Sequence, residues 1–169
     1  RVLDILGLSL AALSMDTSEA ARGWSQAQTS SGPATVVGGG TAPAAQAAFV
    51  NGVLAHSLDY DDTHLPSVLH PSASVVPAAL AAAESAGSSG AELLAAVTVG
   101  IEICVRLGMA GYDRTTGQST FFERGQHATS ICGAVGSAAA AAMLLGLDES
   151  GIAAAMGRWG RMGSGVLGA

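Results

Sequence analysis

The chain has 169 residues, a net charge of −6, 49% hydrophobic residues and only 4% aromatic ones. Its apolar mass is therefore Ala, Leu and Val, and small residues of high helix propensity favour close-packed helices over a β-sandwich. There is no lysine, and the seven arginines are scattered without a basic stripe, which excludes a nucleic-acid footprint.

The two cysteines, Cys104 and Cys132, lie in apolar helical patterns and read as small buried hydrophobes in a reducing, cytoplasmic setting. No signal peptide is visible. The longest membrane-like run identified, Cys132 to Leu147, is short and rich in small residues, so a buried core helix is expected and no membrane span. Both chain ends fall in or beside helical patterns, which suggests one part of something longer.

In chain order, Val2 to Leu13 is apolar nearly all round and predicts a buried helix, with Asp4 in its first turn. Residues 16–46 are rich in Ser, Thr, Gly and Pro; Trp24 to Gln28 suggests a short helix and residues 34–37 at most a turn of extended chain. Gly38-Gly39-Gly40 is a loop, not a phosphate cradle, because no Gly-Lys-Ser/Thr follows.

Thr41 can cap a helix with Pro43 in its first turn, and the pattern then runs unbroken to Asp62 or Thr63. Pro66 and Pro71 make 64–72 a loop. Ser72 or Ser74 starts the next helix, with Pro77 near its first turn and an end by Gly87. Ser89 and Glu92 form a capping-box pattern opening a helix to about Met109. Residues 111–125 read as a polar loop, 128–145 as a helix ended by Gly146, and Asp148 as the cap of a last helix to about Met162. The sum is an all-α multi-helix bundle of six or seven helices with no convincing strand.

Titratable groups concentrate in residues 55–72. This segment holds Asp59, Asp61 and Asp62, three of the four histidines (His56, His64, His70), Tyr60 and Thr63. Burying such groups is costly unless they are paired or used. On a continuous helix His56, Asp59 and Thr63 share one stripe, and the following loop returns His70 beside them. Imidazole with carboxylate is the common equipment for moving a proton. Plainer readings stand beside this one. His56 can be a satisfied core histidine, Asp61 a solvated carboxylate, Asp62 a group bonding loop amides and His64 a loop residue. Three His and three Asp could also bind a metal, although the spacing matches no zinc signature, and the expectation is no metal and no cofactor.

The run A-F-V-N-G-V-L-A-H-S-L-D-Y-D-D-T-H with L-H-P-S (residues 48–64 and 69–72) resembles the MmgE/PrpD family. The family contains 2-methylcitrate dehydratases, cis-aconitate decarboxylases and an iminodisuccinate epimerase. Val2–Ser14, A-T-V-V-G-G-G (34–40), R-G-Q-H-A-T-S-I-C-G (124–133) and G-R-W-G-R-M-G-S-G-V-L-G-A (157–169) are similar to further family segments. The resemblance implies that residues 1–169 are the first part of a large helical domain, with a smaller α/β domain later in the family's chain. It also implies a homodimer and metal-free chemistry.

In the decarboxylase branch the matching positions are Asp59, Thr63, His70 and His127; His127 enters from the resemblance alone. Asp59, His70 and His127 are the expected catalytic residues, and Thr63, His64 and Asp62 the expected substrate-binding ones. Two departures stand out. The loop from Thr63 to His70 is one residue longer than in the decarboxylases, and the family's active-site lysines are not in this lysine-free chain.

The resulting expectation is a metal-independent lyase of the 2-methylcitrate dehydratase type acting on a small polycarboxylate, with this piece inactive alone. Alternatives are an epimerase, isomerase or decarboxylase of the same family, or a non-catalytic helical interaction module.

Overall fold

The computed structural model describes residues 1–28 and 31–161. Among them are eight α-helices, two pairs of two-residue strands and a short 3₁₀ turn. The helices are α1 (Val2–Ala11), α2 (Asp16–Ala27), α3 (Ala44–His56), α4 (Pro71–Ala86), α5 (Gly90–Ala110), α6 (Thr120–Glu123), α7 (Ala128–Leu144) and α8 (Glu149–Arg161). The expected all-α bundle is what forms. Met162 and the tail of the 157–169 segment lie outside the described residues.

The core is built around α4, α5 and α7, which pack on one another; α3 covers α4, and α8 lies on α7. Their contacts are made by small residues, as the composition demands. Gly100 on α5 faces Gly136 on α7: a Cβ at Gly100 would stand 2.9 Å from the Gly136 carbonyl and 2.7 Å from Val75 Cγ1. Such contacts are far inside van der Waals range, so this crossing requires glycine. Cys104 and Cys132 are free and buried. Burial pushes their thiols to about 12 and about 11, and the neighbouring Cys132 adds to the rise at Cys104. They are inert packing residues, as expected.

Helix ends follow the sequence closely where a cap is written into it. Ser89 and Glu92 form the full capping box of α5. Gly87 ends α4 in the left-handed conformation, and Gly146 follows α7 at φ +73°. Asp148 Oδ1 accepts from the Gly151 N–H, 2.8 Å, at the start of α8.

Five expectations are corrected. Residues 16–27 form a full helix despite their polar composition, because Ser18, Ala21 and Ser25 give it one buried face. Thr41–Ala42 pairs with Ala34–Thr35 as a short antiparallel ribbon (β2 with β1), so Thr41 does not cap α3 and Pro43 precedes it. Pro71 itself is the first residue of α4, which puts Pro77 in the second turn. Residues 111–125 are not a plain loop: Tyr112–Asp113 (β3) pairs with Gln118–Ser119 (β4), and α6 follows. Finally, among the described residues the helix long and apolar enough to cross a membrane by length and composition is α5, not 132–147. Here it packs on α7 and α4 and buries Ala96, Val97, Gly100, Cys104 and Gly108.

Candidate active site

The site forms where α3 stops. No helix breaker is written after His56, yet α3 ends there, and Asp59 adopts φ +49°. Aspartate tolerates the left-handed region better than most residues because its short side chain can bond locally. The single helical stripe expected for His56, Asp59 and Thr63 is therefore not formed; residues 57–63 are a turn. That turn decides which carboxylate faces inward. Asp59 points outward, with its side chain 78% exposed, whereas the Asp61 side chain is fully buried. The expectation of a solvated Asp61 is overturned for this reason.

Asp61 lies between two imidazoles. His56 Nδ1–H donates to Asp61 Oδ1 at 2.9 Å. His70 Nδ1 is 3.6 Å from Asp61 Oδ2, 3.4 Å from the Asp61 carbonyl oxygen and 3.4 Å from Thr63 Oγ1. His70 Nε2 faces Asp59 Oδ1 at 3.8 Å. The two rings are tilted, with centroids 5.0 Å apart. The loop thus returns His70 to Asp59 and Thr63 as expected, by a turn and not along a helix face.

A carbonyl oxygen can only accept, so the Asp61 carbonyl beside His70 Nδ1 places that ring's proton on Nδ1. Nε2 is then the acceptor of the neutral ring, with only the exposed Asp59 carboxylate near it at 3.8 Å. His127 is arranged oppositely. It is the N-cap of α7, and its Nδ1 accepts from the Ser130 N–H at 3.3 Å, with Ser130 Oγ 3.0 Å away. Its proton therefore sits on Nε2. Burial lowers the His127 pKa, and the charges of His56 and His70 act in the same direction against a smaller opposing effect of Asp59. His56 and His127 both line a groove of about 610 Å³, with Ser74, Thr129 and Ser130 supplying hydroxyls.

The Asp61 hydrogen bond raises the His56 pKa; burial opposes this, and the charges of Asp61 and Asp59 add to it. A folded-state pKa above the ordinary 6.5 means that protonated His56 stabilises the fold fully below pH 6.5. This contribution fades as pH rises through the raised value. The stability gap between the full-length protein and its His56→Gln variant should therefore be widest below pH 6.5 and narrow above it, as urea melts across pH would read.

Asp62 and His64 are placed outside this cluster. Asp62 accepts from the Ser72 N–H at 3.1 Å and the Ser72 hydroxyl at 2.8 Å, and pairs with Arg1. It caps the start of α4, as the loop-amide reading expected. Asp62→Ala should cost about 1 kcal/mol, the usual worth of such a cap, and leave KM unchanged; a raised KM with an unchanged melt would assign Asp62 to substrate. His64 Nδ1 is 2.7 Å from Ser67 Oγ, and its backbone bridges Leu69, so it shapes the loop.

Two features escaped the sequence reading. Thr129 Oγ1 accepts from the His70 N–H at 3.1 Å, tying the two histidine-bearing helix starts together. Ser130 holds His127. Both hydroxyl residues lie in the first turn after His127, at positions 129 and 130, which was the available signal. For a metal, His56, Asp59, Asp61 and His70 form the candidate set among the described residues: their ligand atoms lie within 4.8 Å of one another. Two imidazoles and two carboxylates suit a divalent ion.

A helical domain that gathers imidazoles and carboxylates at the start of two packed helices is equipped for general acid/base chemistry. The chain belongs to the MmgE/PrpD family, whose N-terminal domain model matches residues 1–168. It is 37% identical to the cis-aconitate decarboxylase of Homo sapiens over 155 residues, covering 88% of this chain and 31% of that protein. It is 42% identical to the Mus musculus cis-aconitate decarboxylase over 110 residues, 63% of this chain and 21% of the relative. It is also 35% identical over 118 residues to the cis-aconitate decarboxylase-like protein oryM of Aspergillus oryzae, 66% of this chain and 23% of that protein. The chain spans less than a third of the length of each of these relatives.

Proposed function

We propose that the full-length protein is a lyase that acts on a small polycarboxylate by proton transfer, with cis-aconitate decarboxylation as the first reaction to test. The observation that carries this reading is the opposite polarity of two imidazoles. His70 offers Nε2 as an acceptor, whereas His127 offers Nε2–H as a donor. Loss of CO2 breaks a carbon–carbon bond and sends its electron pair through the conjugated double bond to a carbon that must take a proton. His70 Nε2, loaded with a proton from water, supplies that proton and returns to the neutral ring, while Nδ1 keeps its own proton toward Asp61. His127 donates to a substrate oxygen, and Thr63 hydrogen-bonds the substrate near His70.

The substrate carboxylates need cationic or N–H partners. The first turn of α7 offers N–H groups and hydroxyls, but this chain contains no lysine. The remaining charge comes from the rest of the full-length protein, so these residues alone are inactive. A homodimer and a cytoplasmic setting belong to the same reading.

Dehydration of 2-methylcitrate is the second reading, and an acceptor at His70 Nε2 suits it. There, His70 Nε2 takes the proton α to a carboxylate and His127 assists the departing hydroxyl. Turnover of cis-aconitate, 2-methylcitrate and citrate by the chelator-treated full-length protein separates the possibilities. Activity that survives the chelator supports proton transfer by side chains, and the active substrate selects the reaction. Activity that the chelator abolishes and a divalent ion restores would instead assign His56, Asp59, Asp61 and His70 to a metal.

A further inference from the structure

We propose that Asp61 is the positioning residue of this site, fixing His70 in the tautomer that leaves Nε2 free. The inference deepens the proton-transfer reading and rests on it for its catalytic consequence, but the geometry behind it is independent of any substrate. Asp61 is the one carboxylate of the segment whose side chain is fully buried. One oxygen, Oδ1, is committed to His56. The other, Oδ2, is buried without a hydrogen-bond partner of ordinary length, and it faces His70 Nδ1 at 3.6 Å. A buried carboxylate oxygen left unsatisfied is costly, so a small rotation of His70 that closes this gap is favourable. The backbone carbonyl of the same residue reinforces the arrangement from 3.4 Å.

One residue thus presents two acceptors to His70 Nδ1, while its remaining oxygen anchors His56, whose ring lies against that of His70. The logic is that of an orienting carboxylate behind a catalytic imidazole. Asp61 does not need to touch substrate. The other titratable groups facing His70 are Asp59 at Nε2, His56 beside the ring, and His127 from the start of α7. Asp59 competes for the ring's single proton from the Nε2 side, but it is 78% exposed and 3.8 Å away, whereas Asp61 sets two acceptors on Nδ1 at 3.4 and 3.6 Å, one of them fully buried.

The test is long-range ¹H–¹⁵N correlation on the full-length protein labelled with ¹⁵N-histidine, which reads each ring's tautomer directly. At a pH where the rings are neutral, His70 is expected as Nδ1–H and His127 as Nε2–H. Asp61→Asn keeps the backbone carbonyl at His70 Nδ1 but removes the carboxylate charge beside it, so the Nδ1–H share of His70 should fall toward a mixture with Nε2–H, and the His56 pKa should drop. Turnover should fall by about 10²-fold, within the range a lost general acid or base commands, with KM little changed. His56→Gln, which leaves both Asp61 acceptors at His70, should keep the His70 tautomer.

Wild-type His70 observed as Nε2–H would overturn the proposal. So would an Asp61→Asn protein with unchanged tautomer and turnover. The wild-type spectrum needs no variant, so an Asp61→Asn protein that fails to fold leaves the test intact. If His70 is Nδ1–H but no polycarboxylate is turned over, the lyase reading fails and the positioning role stands.

Discussion

His70→Asn in the full-length protein is expected to lower turnover by about 10²–10⁴-fold, the range a positioned proton-transfer group supplies, without unfolding it. The choice of asparagine matters. Its side-chain amide places an N–H near the position of Nδ1, so the Asp61 carbonyl, 3.4 Å from that atom, keeps a donor. What is lost is Nε2, the nitrogen facing Asp59. His127→Asn completes the comparison. Asparagine is a good N-cap, so its oxygen can accept from the Ser130 N–H as His127 Nδ1 does, and α7 keeps its start. That variant removes only the Nε2–H donor. Circular dichroism melts close to wild type, with both rates collapsed, would locate the loss in the chemistry. His127→Ala should add a cap loss of about 1 kcal/mol to the same rate loss.

Gly136→Ala should destabilise the fold by about 1–3 kcal/mol, the usual cost of overpacking a close-packed core. Helix propensity alone argues the other way, because Ala is better than Gly in a helix by up to about 1 kcal/mol. The clash wins because of what the new methyl meets. It would press on the Gly100 carbonyl of α5 and stand 3.0 Å from Cys104 Cβ. Backbone cannot rotate away as a flexible side chain can, so α5 and α7 must separate, and their packing forms the centre of the bundle. Gly23 is the control. It lies in α2 with nothing within 4 Å of its would-be Cβ, so Gly23→Ala should be neutral or stabilising by up to about 1 kcal/mol. Thermal midpoints of the two variants should therefore move in opposite directions.

Much of this molecule was legible before its structure. Ser89 with Glu92, Gly87, Gly146 and Asp148 mark helix ends by local chemistry, and each acts where it stands. The excess of Ala and Gly foretold helices in close contact. Legibility failed where tertiary contacts override local preference. Nothing near Ser57 says that α3 must stop, because the stop is set by the left-handed turn at Asp59 and by the pull of His56 on Asp61. Reading the helix onward kept Asp61 off the site and called it solvated. The fully buried carboxylate between two imidazoles was therefore the residue most misjudged. Residues 16–27 were missed for a related reason: their helix is justified by one buried face, not by apolar content. His70 was found because two prolines forced a loop and the chain had little room except to return.

The account rests on histidine side chains moving a proton on a polycarboxylate. The most direct test is to run the chelator-treated full-length protein with cis-aconitate in D2O and follow CO2 release and the product by NMR. Decarboxylation with one deuteron per turnover bound to carbon, reduced by orders of magnitude in His70→Asn, is the predicted result. Product formed at an undiminished rate by His70→Asn would contradict the account, and so would an absence of turnover with cis-aconitate, 2-methylcitrate and citrate alike.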